Sequence, residues 1–278
     1  MTERQLDRIT RIVSVIVVLA ALAAFGVLFL VPDRTDTLFS WTITPTMSAR
    51  LMGAGYISGA YIFTRVALGT SWRSVRAPML GLAVFSVITL ATTLLHLDRF
   101  HHGTFPFVLW TGLYALLTIV MFPLWFANER IRREPTIGGD PTVPRRIRFA
   151  AAAAGIGAWG LALAMFLVPD LVASVWPWQL TPLTARASAA WYAVAGTVPL
   201  VLYTIDTWSG WRMSAESGSI LLGFLLLGSA LSWSEFDPGR ILTWAFVLGT
   251  AALFVAVLAL YVAYQRQNPA ARTSAGNA

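Results

Sequence analysis

The chain has 278 residues, a net charge of +7 and no cysteine, with 57% hydrophobic and 12% charged residues. Ordinary soluble domains hold about 45–50% apolar and about 25% charged residues, so a water-soluble fold is excluded. The missing cysteine removes disulfides, thiolate metal ligands and thiol nucleophiles.

Residues 12–31 form the first apolar run, with one serine and no charge. A helix of about 20 such residues crosses the ~30 Å hydrocarbon layer. A charged segment precedes it, as in a signal peptide, but the run is long for one. It also aligns with an internal run, so a retained helix is expected. Pro32 stops this helix, and Asp33 follows where a carboxylate accepts from free turn amides. Trp41 has the size and polar N–H suited to the headgroup level. Thr44-Pro45 reads as a helix start, the hydroxyl capping and the proline losing no hydrogen bond. Arg50 then lies about a turn inside the next helix.

The second run, 51–69, carries Gly53, Gly55, Ser58 and Gly59. The Gly55-x-x-x-Gly59 pair lets a neighbouring backbone approach. The third run, 77–95, exits into His96, Asp98, His101 and His102. Histidine and carboxylate together invite a metal, and His96, Asp98 and His101 are weak candidate ligands. Their spacing fits no standard motif, so neither metal nor cofactor is expected. The fourth run is 105–127. A linker over 128–148, rich in Arg, Pro and Gly, reads as a solvated connector.

After the linker the chain begins again. Phe29-Leu30-Val31-Pro32-Asp33 returns as Phe166-Leu167-Val168-Pro169-Asp170, 137 positions later. The shift maps Trp41 onto Trp178 and Thr44-Pro45 onto Thr181-Pro182, and one residue of slip maps Arg50 onto Arg186. Runs at 149–168, 185–205, 217–233 and 241–264 complete a second set of four, of which 217–233 is the weakest. Ala189 and Ala193 supply the small face in place of glycine. A polar tail, 266–278, reads as disordered.

The fold expected is all-α: a polytopic membrane protein with eight spans in two parallel four-helix repeats, 1–127 and 149–265. With the N-terminus inside, 15 arginines and 7 acids fall on the inner side, against 5 and 6 outside. That is the positive-inside bias, and it puts both termini in the cytoplasm. The basic charge therefore addresses topology and anionic lipid rather than nucleic acid.

Each half carries acid, arginine and acid to its outer face: Asp33, Arg50 and Asp98, then Asp170, Arg186 and Glu235. The six suit either ion pairs that lock helix ends or a polar mouth for a charged ligand between the halves. No nucleophile elbow, phosphate loop or zinc motif is present. The leading expectation is a non-enzymatic structural or accessory subunit of a bacterial inner membrane. Its partners are then the bilayer and another membrane protein. The alternatives are a transporter or small-molecule binder with an outer polar site, and a metal enzyme built on His96, Asp98 and His101.

Overall fold

A computed structural model describes residues 3–131 and 139–267. Among them are eight helices of 22 residues or more. The first four are α1 (Glu3–Phe25, continuing through a π-helical turn Gly26–Leu30), α2 (Thr46–Ala67), α3 (Trp72–Leu95) and α4 (Phe105–Ile131). The second four are α5 (Arg145–Leu167), α6 (Pro182–Tyr203), α7 (Trp208–Leu231) and α8 (Ile241–Gln265). No strand occurs among the described residues beyond one isolated bridge, Thr142 to Thr207. Each apolar run has become a helix. Most extend past the run into its charged flank, because a helix satisfies its backbone internally.

Six of the eight are long and apolar enough to cross a membrane, which is consistent with a membrane protein. The weakest run, in α7, is among them; α2 and α6 are not. Eight spans were expected, with 217–233 the weakest; it is α2 and α6 that fall short instead, for a packing reason. Helix α2 stands between α1 and α7, and α6 between α5 and α3. Helices walled by protein can carry arginine, hydroxyls and small residues that lipid-facing ones avoid. At the other extreme, the most apolar stretch of α8 has no buried residue.

The packing is crosswise. Within each set of four, α1 lies on α2 and α3 on α4, then α5 on α6 and α7 on α8. The sets join by α3 packing on α6 and α2 on α7, while α2 barely touches α3. Neither set is therefore a bundle on its own. Glycines permit two of the closest approaches. A methyl on Gly196 would stand 2.9 Å from the Gly155 carbonyl, which brings α5 onto α6. A methyl on Gly55 would stand 2.3 Å from the Trp191 ring, so the notch in α2 admits that side chain of α6.

The linker departs from the solvated connector expected. Residues 128–131 finish α4 and 145–148 begin α5. Between them Val143 is fully buried. Its N–H donates to the Asp206 carbonyl at 2.7 Å, and the Trp208 N–H donates to the Pro141 carbonyl at 2.9 Å. Asp140 accepts from the backbone and hydroxyl of Ser209. This stretch closes the end of the second set of helices where α6 gives way to α7. Arg132 to Gly138, and the tail beyond Gln267, lie outside the described residues.

Candidate functional site

The six outer residues do not gather. Asp33 and Asp170 are exposed, and Asp98 pairs only with its neighbour Arg99, both more than 70% exposed. Among the described residues no ion pair joins any two of the six. Glu235, Arg50 and Arg186 instead find partners across the halves, because α2 meets α7 and α6 meets α3.

Glu235 caps α2. Its carboxylate accepts from the Thr46 N–H at 2.9 Å, the Thr46 hydroxyl at 2.7 Å and the Met47 N–H at 2.7 Å. The cap expected from Thr44 is absent, since the helix begins at Thr46 with Pro45 at its N-cap position. The second half keeps the expected arrangement, with the Thr181 hydroxyl accepting from the Thr184 N–H at 3.2 Å. A carboxylate at a helix N-terminus also meets the positive end of its dipole. Glu235→Ala is expected to cost about 1–2 kcal/mol in unfolding free energy, as for loss of a cap, with Glu235→Gln between it and wild type.

Arg50 donates to the hydroxyls of Thr46 and Ser232. Arg186 donates from Nε to the Phe166 carbonyl at 3.0 Å and from Nη1 to His96 Nε2 at 2.8 Å. Each arginine thus leaves the second helix of its own half and grips the end of the third helix of the other. Arg50 Nε is buried with no partner. Its counterpart uses a carbonyl at the end of a regular helix, whereas α1 ends in the π turn.

The histidines serve separate purposes. A guanidinium only donates, so His96 Nε2 must accept and the ring is neutral. Burial, then the Arg186 charge, hold His96 below its ordinary pKa, with Asp98 opposing. A histidine lowered on folding stabilises fully above its unfolded pKa of about 6.5, and that contribution is lost as pH falls below it. Melting wild type beside His96→Gln from pH 7.5 to 5.5 should show their difference shrinking only for this reason, since glutamine accepts from Arg186 without titrating. His101 donates from Nδ1 to the Phe39 carbonyl at 3.1 Å, and Nε2 accepts from the Thr42 hydroxyl at 3.2 Å. It pins the loop after α1. Among the described residues no three His, Cys, Asp or Glu side chains gather to hold a metal ion, which corrects the His96, Asp98 and His101 grouping.

Trp41 and Trp178 are each 2% exposed, so neither lies open to lipid headgroups. Trp41 packs among Phe39, Phe100 and Trp110. Trp178 packs among Trp176, Phe236 and Phe246 and donates to the Ser48 hydroxyl at 2.8 Å. The loops after α1 and α5 fold back over the helix ends. Of the packing residues, Gly55, Ala189 and Ala193 are buried, but a methyl on Gly59 would meet nothing within 4 Å.

One cluster was not foreseen. Glu216, 13% exposed, sits on α7 and accepts from Arg65 at 3.4 Å on Oε2 and from Arg212 at 2.9 Å on Oε1. Tyr61 also donates to Oε2, at 2.5 Å, and Tyr261 to Oε1, at 3.3 Å. The signal was present in the repeat. With the one-residue slip, Leu80 stands at the position of Glu216, Trp125 at that of Tyr261 and Thr197 at that of Tyr61, while Arg76 matches Arg212. Polar residues held by one copy alone mark a departure from the shared scaffold. Two cavities lie near the ends of the helices. One of about 180 Å³ is lined by α1 to α4 at the end where Arg11 and Trp72 lie. The other, of about 330 Å³, is lined at the opposite end by Thr44, Gln179, Thr181 and Arg240 among others.

Comparison with protein-family models, curated proteins and solved structures finds no match to this chain.

Proposed function

We propose that the chain is a multi-pass protein of a bacterial inner membrane, with eight spans in two parallel repeats and both termini cytoplasmic. We assign it a non-enzymatic structural or accessory role. The observation that carries this reading is the filled contact between the halves. Trp191 of α6 lies in the notch at Gly55, with its ring centroid 5.0 Å from Tyr56 and 4.3 Å from Phe85. Rings occupy the place where a transporter built on this pairing keeps its polar site. The matched helix pairings support the repeat, and the arginine bias supports the orientation.

A second reading, a small-molecule binder with an outer site, draws on the 330 Å³ cavity. The cavity brings Thr44 and Thr181, the repeated Thr-Pro threonines, to one surface beside Arg240.

The test compares the tagged protein extracted gently from its native membrane with the same chain produced alone. A native species heavier than the 30.3 kDa chain with its detergent, against a lone monomer, supports the accessory role. Identical behaviour of the two preparations removes it. Terminal tags labelled from opposite sides of the membrane remove the topology.

A further inference from the structure

Two corners of the fold are built alike and filled differently. With the one-residue slip, Arg186 answers Arg50, His96 answers Ser232, and Arg99 answers Glu235. The backbone agrees, because Arg99 and Glu235 each end a 3-10 turn, Leu97–Arg99 after α3 and Trp233–Glu235 after α7. The Arg99 N–H donates to the His96 carbonyl at 2.9 Å, and the Glu235 N–H to the Ser232 carbonyl at 3.0 Å. Where α2 meets α7, Glu235 gives the corner its own anion. Its Oε1 and Arg50 Nη1 share the Thr46 hydroxyl, at 2.7 and 3.0 Å. A carboxylate thus lies one hydroxyl away from the guanidinium.

Where α6 meets α3, that anion is missing. Arg99 holds the place of Glu235, and a guanidinium only donates, so it cannot take the carboxylate's part. It turns outward to Asp98 at 3.1 Å, each more than 70% exposed. Pro182 stands in place of Thr46 and offers neither hydroxyl nor N–H. Arg186 is left with neutral partners, the Phe166 carbonyl and His96. Asp170 follows Phe166 by four positions, yet it makes no ion pair among the described residues. Arg186 Nη2 has no partner among the described residues either, and it is not enclosed. The charges of Arg186, Asp98 and Arg99 all act on His96, which sets both guanidiniums around one imidazole. Hydrogen bonds from arginine to phosphate or carboxylate are about twice as strong as neutral ones.

We propose that the corner between α3 and α6 binds an oxyanion, a phosphate or carboxylate group, in the role that Glu235 fills between α2 and α7. Arg186 and Arg99 supply the positive charge, and His96 holds the Arg186 guanidinium in place. Only a lipid source for the anion rests on the membrane reading, and the accessory role is independent of it.

The test is thermal unfolding of the full chain in dodecyl maltoside at fixed ionic strength, which holds screening constant. One arm is titrated with sodium phosphate, a second with sodium acetate and a third with phosphatidylglycerol. The expected result is a saturable rise in midpoint that Arg186→Gln and Arg99→Glu each weaken at least tenfold in apparent affinity. Arg34→Gln, at an exposed outer arginine away from this corner, should leave the rise unchanged. Arg99→Glu puts a carboxylate where the sister turn has one, and at a residue so exposed it keeps the test open should Arg186→Gln not fold. A rise with the lipid alone assigns a headgroup; a rise with phosphate or acetate assigns a free solute. No rise with any probe, or an equal rise in Arg99→Glu and wild type, overturns the proposal.

Discussion

Glu216→Ala is expected to lower the unfolding free energy by about 2 kcal/mol. The carboxylate is 13% exposed and is met by two arginines and two tyrosine hydroxyls from three helices. Removing one member of a buried ion pair costs about 3–5 kcal/mol, because the partner charge is left uncompensated. Arg65 and Arg212 are 36% and 38% exposed, so water screens part of that loss and the lower figure applies. Glu216→Gln keeps acceptor capacity and should cost less than alanine. Asp98→Ala is the contrast: its pair with Arg99 is open to solvent, and a change within about 0.5 kcal/mol is expected. Chemical unfolding in detergent reads all three. Equal effects at Glu216 and Asp98 would remove the idea that this cluster joins α2, α7 and α8.

The second large effect separates two glycines of one motif. A methyl on Gly55 would meet three atoms of the Trp191 ring at 2.3 to 2.7 Å. That ring has little room to retreat, since Tyr56 and Phe85 flank it at 5.0 and 4.3 Å. Overpacking of this kind costs about 1–3 kcal/mol, against a gain of up to about 1 kcal/mol for alanine over glycine in a helix. Gly55→Ala should therefore destabilise by about 1–2 kcal/mol, and Gly55→Val by more. Gly59→Ala meets nothing and should be neutral or stabilising. Trp191→Leu should abolish most of the Gly55→Ala penalty in a double-mutant cycle, the sign that the two residues share one contact. A Gly59→Ala penalty equal to that of Gly55→Ala would refute the assignment of the motif to one close approach.

Much of this architecture is legible in the residues themselves. The apolar runs, the prolines at 32 and 182 and the arginine flanks place all eight helices to within a few residues, except where the first turns of α1 and α7 begin well before their runs. The duplicated Phe-Leu-Val-Pro-Asp segment falls where α1 and α5 end, and within each set of four the first helix packs on the second and the third on the fourth. The candidate site was far less legible. The six outer charges share a height along the bundle, yet height says nothing about which helix stands beside which. Glu235 reaches Thr46 across 189 positions, and Arg186 reaches His96 across 90. Trp41 and Trp178 have the composition of interfacial anchors, but the loops that carry them turn inward and bury both.

Sequence alone determined the helices, most of their ends and the charge pattern along the chain, because each depends on near neighbours. A helix in lipid closes its own hydrogen bonds four residues apart, and proline or arginine acts where it stands. Only the tertiary structure decided that α2 meets α7, that α3 meets α6, and that Glu216 rather than the outer acids is the enclosed carboxylate. Those choices follow from which faces interlock, as at Gly228 against Arg50 and at Gly81 against Val194 and Val198. Complementary shape between distant segments leaves no periodic trace in either segment.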